Sequence, residues 1–204
     1  MGRRIIVSHG EKGGVGKSMV ASLLVEMSRG ECHIIEGDHA APDVARRYRN
    51  HGYKGGSIAL LGSDTPGDAV GDLMSDIEQR DAENIVINLP ASAGQVVDEY
   101  ASEMRDVCDA LGRELVVTYA IGASVDSLIS VRNSLRSGLA GKAHRRVAVF
   151  NRYFGNPVRF GWCAELAEEW GGKEVDLPAL SDRVVSAVRD MYAPFGKIAA
   201  GDYG

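Results

Sequence analysis

Apolar positions along the chain alternate between two periods. Ile5-Ile6-Val7 is a short continuous apolar run and predicts a buried strand. Met19, Val20, Leu23, Leu24 and Met27 then recur at helical spacing, which predicts an amphipathic helix. Cys32 to Ile35 is a second short strand. Residues 40–56 carry Pro42, Gly52, Gly55, Gly56 and several charges, and predict a surface loop with a short helix. Ser57 to Leu61 predicts a strand and Asp68 to Arg80 a helix. Ile85-Val86-Ile87 predicts another strand. Val96, Val97, Tyr100, Met104, Val107, Cys108 and Leu111 then make one helical face. Further on, Leu115–Tyr119 and Val147–Phe150 read as strands around a helix over Val125–Leu135. Phe160–Trp170 reads as a helix ended by Gly171-Gly172, and Glu174–Leu177 as a last short strand. Val184, Val185, Val188, Met191 and Tyr192 form a final helix stopped by Pro194.

Strands that alternate with helices imply right-handed crossovers. The expected fold is therefore α/β, with a mainly parallel twisted sheet and helices on both faces, in three α/β/α layers. Residues 1–204 make one domain of this kind, a length sufficient for a sizeable core. In such sheets ligands bind beyond the carboxyl ends of the strands.

Composition narrows the picture slightly. The chain is 45% apolar and 25% charged, ordinary for a globular protein. A net charge of −5 argues against a dedicated nucleic-acid coat and leaves room for a local basic patch. Cys32, Cys108 and Cys163 are far apart and form no C-x-x-C, so neither zinc nor a disulfide framework is indicated. A reducing cytoplasm is the expected location. The first residues hold too short an apolar run for a signal peptide, and no stretch approaches the ~20 apolar residues of a membrane span.

The chemistry concentrates in Glu11-Lys12-Gly13-Gly14-Val15-Gly16-Lys17-Ser18, between the first strand and the first helix. The ordinary phosphate-loop pattern is G-x-x-x-x-G-K-[ST], whose first glycine would fall at Glu11. The remaining residues suit a phosphate cradle. Gly13, Gly14 and Gly16 let backbone N–H groups turn inward, and the helix N-terminus adds partial positive charge. Lys17 reaches the β- and γ-phosphates, and Ser18 supplies a hydroxyl to Mg²⁺. Val15 and Met19 complete the nucleotide-binding segment.

The run Lys12 to Ser18 resembles the deviant Walker-A motif of the MinD/ParA family of ATPases, which includes the nitrogenase iron protein. That resemblance implies a P-loop NTPase with ATP and Mg²⁺ as cofactors and an ATP-sandwich homodimer. It assigns Lys12 as the signature lysine that touches the partner's phosphates, in the manner of an arginine finger. The alternative for Lys12 is a solvated loop lysine. Asp38, in Glu36-Gly37-Asp38, matches the family aspartate that orients the attacking water; its alternative is a turn cap. The catalytic set implied is thus Lys12, Lys17 and Asp38. Asn88, in Asn88-Leu89-Pro90-Ala91-Ser92, stands where the family has the Walker-B aspartate. Its carbonyl oxygen can accept from a Mg²⁺-bound water, so Ser18 and Asn88 are the metal candidates. An amide holds that water less firmly than a carboxylate, which implies slow, partner-stimulated turnover. Asn151 and Arg152 fall where the family contacts adenine, and Pro178 where its backbone lies near the base.

Several segments, "NLPASAG" and "VAVFNRYFGNPV" among them, are similar to TraL-type conjugal-transfer and plasmid-stability ATPases. That similarity implies a switch serving plasmid partition, stability or transfer, with a protein partner not specified by the sequence. Nonspecific DNA is a second possible ligand, through Arg46-Arg47 with Arg49, or Lys142 with Arg145-Arg146; the alternative is ordinary solvated charge. A nucleotide-binding scaffold with little hydrolysis is the competing function. An iron–sulfur cluster is disfavoured, since Cys108 lies on an apolar helix face and Cys163 beside Trp162. A membrane-surface role is disfavoured because the tail "APFGKIAAGDYG" has one lysine and little apolar face. With the chain beginning directly at its first strand, no helix-turn-helix extension or operator reading is expected.

Overall fold

The computed structural model of the protein describes residues 2–10, 12–28, 32–38, 41–60 and 65–202. The chain runs β1 (Arg4–His9), α1 (Lys17–Met27), β2 (Cys32–Glu36), α2 (Asp43–Tyr48), β3 (Lys54–Ser57), α3 (Pro66–Glu78) and β4 (Asn84–Asn88). It continues through α4 (Ala93–Glu99), α5 (Ala101–Ala110), β5 (Glu114–Ile121), α6 (Val125–Ser137), α7 (Leu139–Lys142) and β6 (Arg145–Asn151). It ends with α8 (Ala164–Trp170), β7 (Lys173–Leu177), α9 (Asp182–Met191) and α10 (Phe195–Ala200). The strands form one sheet in the order β3-β2-β4-β1-β5-β6-β7, every pairing parallel.

Burial on both faces explains the unbroken apolar runs of the central strands. Successive residues go to opposite sides. Ile5 and Val7 of β1 join the larger core, with Leu73 and Ile77 of α3, Met104 of α5, Val131 of α6 and Trp170 of α8. Ile6 faces the other way, onto Ala21 and Val25 of α1 and Val44 and Tyr48 of α2. Three layers result. The neighbours of β1, β4 and β5, belong to opposite halves of the sheet, so a crevice opens beyond its carboxyl end.

Four boundaries differ from the sequence reading. The single helix expected through Val96–Leu111 is two, α4 and α5, because Tyr100 leaves helical geometry at ψ 24°. Val97, Ala101, Met104 and Cys108 still share the core face, so the apolar period crosses the break. The strand expected over Ser57–Leu61 lies earlier, over Lys54–Ser57. Gly55 allows it: a Cβ there would come 2.9 Å from the Ile34 carbonyl oxygen on β2. Leu61 lies outside the described residues. In place of a helix from Phe160, a 3₁₀ turn covers Pro157–Phe160, and Gly161 at φ +96° separates it from α8. Finally, Pro194 caps a further short helix, α10, rather than only ending α9.

Arg47 ties this C-terminal segment down. It is 9% exposed, donates to the carbonyls of Ala193 at 2.7 Å and Val188 at 3.1 Å, and lies over the Phe195 ring. Two charged-donor bonds and a cation–π contact are lost in Arg47→Ala, a change of about 2 kcal/mol. Amide exchange across α9 and α10 is expected to quicken accordingly; unchanged exchange there contradicts this anchoring.

Candidate phosphate-loop site

The loop after β1 lies in that crevice. Gly16 is the N-cap of α1 at φ +109°, and a Cβ there would meet the Asn151 amide nitrogen at 3.0 Å. Glycine is thus required both by backbone conformation and by the close approach of β6. No side chain caps α1, so its first-turn N–H groups and positive dipole end face the loop. Gly14 also takes a positive φ, +78°. Lys17 is 6% exposed, and its Nζ donates to the Lys12 carbonyl at 2.8 Å, folding back beneath the loop. Ser8 Oγ donates to the Lys17 carbonyl at 2.8 Å and fixes the start of α1 to β1.

The remaining expected residues gather around this loop to different degrees. Asn151 Nδ2 donates to the Val15 carbonyl at 3.2 Å, and Asn151 Oδ1 accepts from Tyr153 N–H at 3.1 Å. Arg152 sits in the 3₁₀ turn after β6 and pairs with Asp176 at 2.7 Å. Pro178 is exposed and follows Leu177, whose side chain lies 3.7 Å from a Cβ built on Gly16. Gly13 faces Ala91, in the segment after β4, at 3.7 Å by the same measure. Val15 is buried, and Ser18 and Met19 are half-buried in the first turn of α1. Glu11, His39 and Ala40 lie outside the described residues.

Asn88 is the hinge of the site. Strand register sets it beside both Ser8 and Glu36. Its Nδ2 donates to Glu36 Oε1 at 2.7 Å and to Ser18 Oγ at 3.3 Å. Its Oδ1 is buried with no hydrogen-bond partner. A buried carbonyl oxygen beside a serine hydroxyl is the donor chemistry a hard divalent cation takes, so these residues fit Mg²⁺. Among the described residues no group of three or more His, Cys, Asp or Glu side chains forms a metal cluster.

Sequence reasoning missed the role of Glu36. Its carboxylate is fully buried. Oε2 accepts from Val44 N–H at 3.2 Å and Ala45 N–H at 3.4 Å, so it caps α2; Oε1 accepts from Asn88 and from Asp38 N–H at 3.4 Å. Burial pushes its pKa up from 4.5 to about 7, against the lowering effect of the hydrogen bonds from Asn88 and the three N–H groups. The one available signal was a carboxylate ending the apolar strand Cys32–Glu36. Below about pH 4.5 folded and unfolded chains both hold this proton. Between about 4.5 and 7 only the folded chain does, so stability falls as pH rises through that window. Wild type is expected to lose about 2–3 kcal/mol more than Glu36→Gln between pH 5 and 8 in urea unfolding. Parallel curves contradict this assignment.

Asp38 is half-buried and its Oδ1 accepts from Ala41 N–H at 2.8 Å, the turn-capping geometry. Lys12 Nζ donates to Asp126 Oδ2 at 2.7 Å, in the first turn of α6, with both side chains largely solvent-accessible. The basic groups behave unequally. Arg47 anchors the C-terminal segment, Arg146 donates to the carbonyls of Trp170 and Ala140, and Arg145 pairs with Glu114. Arg46 and Lys142 remain exposed.

A seven-stranded parallel sheet in three α/β/α layers, with this loop at its centre, defines a fold of the P-loop NTPase class. The chain is similar to Protein MobD of Acidithiobacillus ferrooxidans, with 29% identity over 192 residues, 90% of this chain and 81% of that protein. No family model matches. In structure it is similar to a nucleotide-binding protein from Archaeoglobus fulgidus solved in complex with ADP and with cobalt. The TM-score is 0.56 at 15% identity, over 93% of this chain and 86% of that one. Chloroplast FtsY from Physcomitrella patens gives a TM-score of 0.54 at 10% identity, over 85% of this chain and 57% of that protein. Among the described residues no helix is long and apolar enough to cross a membrane.

Proposed function

We propose that the protein is an ATP-dependent switch of the deviant Walker-A type, which closes as a homodimer on ATP and Mg²⁺ and opens on hydrolysis. The observation that carries this reading is the buried Lys17 beneath a loop with Gly14 and Gly16 at positive φ, at the uncapped start of α1. Backbone N–H groups of residues 13–18 receive the phosphates. Lys17 exchanges its bond to the Lys12 carbonyl for one to the β- and γ-phosphates. Ser18 Oγ and Asn88 Oδ1 would hold Mg²⁺ or its water, which when bound would supply positive charge against the phosphates. Asp38 orients the attacking water from the edge of β2. Asn151, Arg152 and Pro178 border the base. Lys12 leaves Asp126 and completes the opposite site of the dimer.

The output is a reversible surface for a partner protein or nonspecific DNA, in plasmid partition, stability or transfer. The sequence similarity to TraL-type proteins supports that setting. One observation favours a second reading, a nucleotide-gated scaffold with little hydrolysis. Asn88 supplies an amide where a carboxylate is usual and is tied to Glu36. Phosphate release from ATP and Mg²⁺, with and without nonspecific duplex DNA, separates them. Turnover that rises with DNA and declines with salt supports the DNA-coupled switch. ATP binding without turnover in any sample supports the scaffold, and no ATP binding at all overturns both.

A further inference from the structure

We propose that the opposite edge of the sheet holds a second anion site, a cleft that takes a phosphate-bearing ligand. The phosphate loop follows the carboxyl end of β1. This cleft opens instead at the amino-terminal ends of β2 and β3, beside the end of α3, so it is independent of the nucleotide reading. Its volume is about 720 Å³, and its walls include His33, Arg49, Tyr53, Lys54 and Arg80.

Two buried donor-capable atoms in this wall have no hydrogen-bond partner. His33 is 6% exposed and its Nε2 is one of them; Arg80 Nε is the other. Arg80 uses its Nη2 on Asp76, which leaves the Nε–H edge of its guanidinium unspent. Strand register sets His33 against Lys54, so an imidazole and an ammonium flank the same opening. Arg49 adds a third cation from the 3₁₀ turn after α2. The carboxylate of the lining, Asp81, is bonded to Arg3 at 2.5 Å. Burial first, and then Arg80 and Lys54, lower the His33 pKa against the pull of Asp76. The imidazole is therefore neutral. Arg80 is ion-paired with Asp76, whose buried Oδ2 also has no hydrogen-bond partner, so the positive charge left for an anion comes chiefly from Arg49 and Lys54.

An unpaired buried donor is costly and is normally satisfied. Three cations and an imidazole offer more donors than the two coplanar oxygens of a carboxylate accept, whereas a tetrahedral phosphate presents three or four acceptors. The cleft exceeds the size of a phosphate group and leaves room for the body that carries it. That body is either a small phosphate compound or the phosphodiester chain of a nucleic acid, and the chemistry at the cations is the same for both.

The test reads His33 directly. The His33 ring nitrogens are followed by NMR, assigned with His33→Gln, while inorganic pyrophosphate or a short single-stranded oligonucleotide is added at constant ionic strength. A saturable shift at His33 is expected. Arg49→Ala and Lys54→Ala, both at exposed positions that leave the core intact, are each expected to weaken it by about tenfold. Tighter saturation by pyrophosphate identifies a small ligand, and tighter saturation by the oligonucleotide identifies a chain phosphodiester. Shifts confined to the amides of residues 13–18, with His33 unmoved, overturn the proposal. So does a His33 shift that neither variant changes. Because the readout sits on β2, it stands or falls separately from nucleotide binding at the loop.

Discussion

Replacing Lys17 with alanine is expected to weaken ATP binding by about 1,000-fold and leave the fold intact. The Lys17 side chain is buried, and a charge-assisted bond to phosphate made there is stronger than in bulk water. Truncating one member of such a buried charge pair costs about 2–5 kcal/mol, much of it from leaving the phosphate charge unpaired. The alanine keeps a helix-favouring residue at the first position of α1, and Ser8 Oγ still finds the carbonyl at position 17. Titration with a fluorescent ATP analogue, beside a thermal melt of the same sample, checks both halves. A loss below about tenfold would show that the phosphates do not sit on this loop.

A different signature is expected for Lys12→Ala. Turnover should fall by about 1,000-fold, as for removal of an arginine finger, while ATP affinity of the single chain stays within about threefold. In the proposed switch the separation is expected because the Lys12 ammonium would make its productive contact only across the dimer. Inside one chain Lys12 offers Lys17 a backbone carbonyl, which alanine also provides, and Asp126 a solvent-accessible ion pair. Asp126→Asn frees the Lys12 ammonium from its ion pair. Both groups are solvent-accessible, so the pair is worth about 0–1 kcal/mol, and dimerisation should tighten by no more than about fivefold. Phosphate release and equilibrium titration on the three proteins check this. Equal turnover for wild type and Lys12→Ala contradicts a trans-acting lysine.

What the sequence made legible was local. The first strand, the glycine loop and the first helix are contiguous, so apolar period and glycine spacing suffice to place Gly13, Gly14, Gly16, Lys17 and Ser18. The three-layer fold followed from alternation alone. What stayed hidden depends on register between distant segments. Asn88 meets Glu36 and Ser18 because β4 lies between β2 and β1, a fact no window of residues contains. The sequence shows Glu36 only as the residue that opens Glu36-Gly37-Asp38; burial and the N–H groups of α2 make it a capping carboxyl group. Lys12 and Asp126 are 114 residues apart. Arg47, read as possible DNA-binding charge, is instead buried against α9 and α10 because its partners lie more than 140 residues away. The helix break at Tyr100 was invisible because the apolar period continues through it.

The most direct test of the switch is the mass of the protein in solution by multi-angle light scattering, with ADP and with ATP and Mg²⁺. Wild type and Asp38→Ala, a variant expected to slow hydrolysis if the proposed role of Asp38 holds, are measured together. The account predicts one chain's mass with ADP and twice that mass with ATP, most completely in Asp38→Ala, and one chain's mass throughout for Lys17→Ala. A single-chain mass in every nucleotide state, with ATP demonstrably bound, contradicts it.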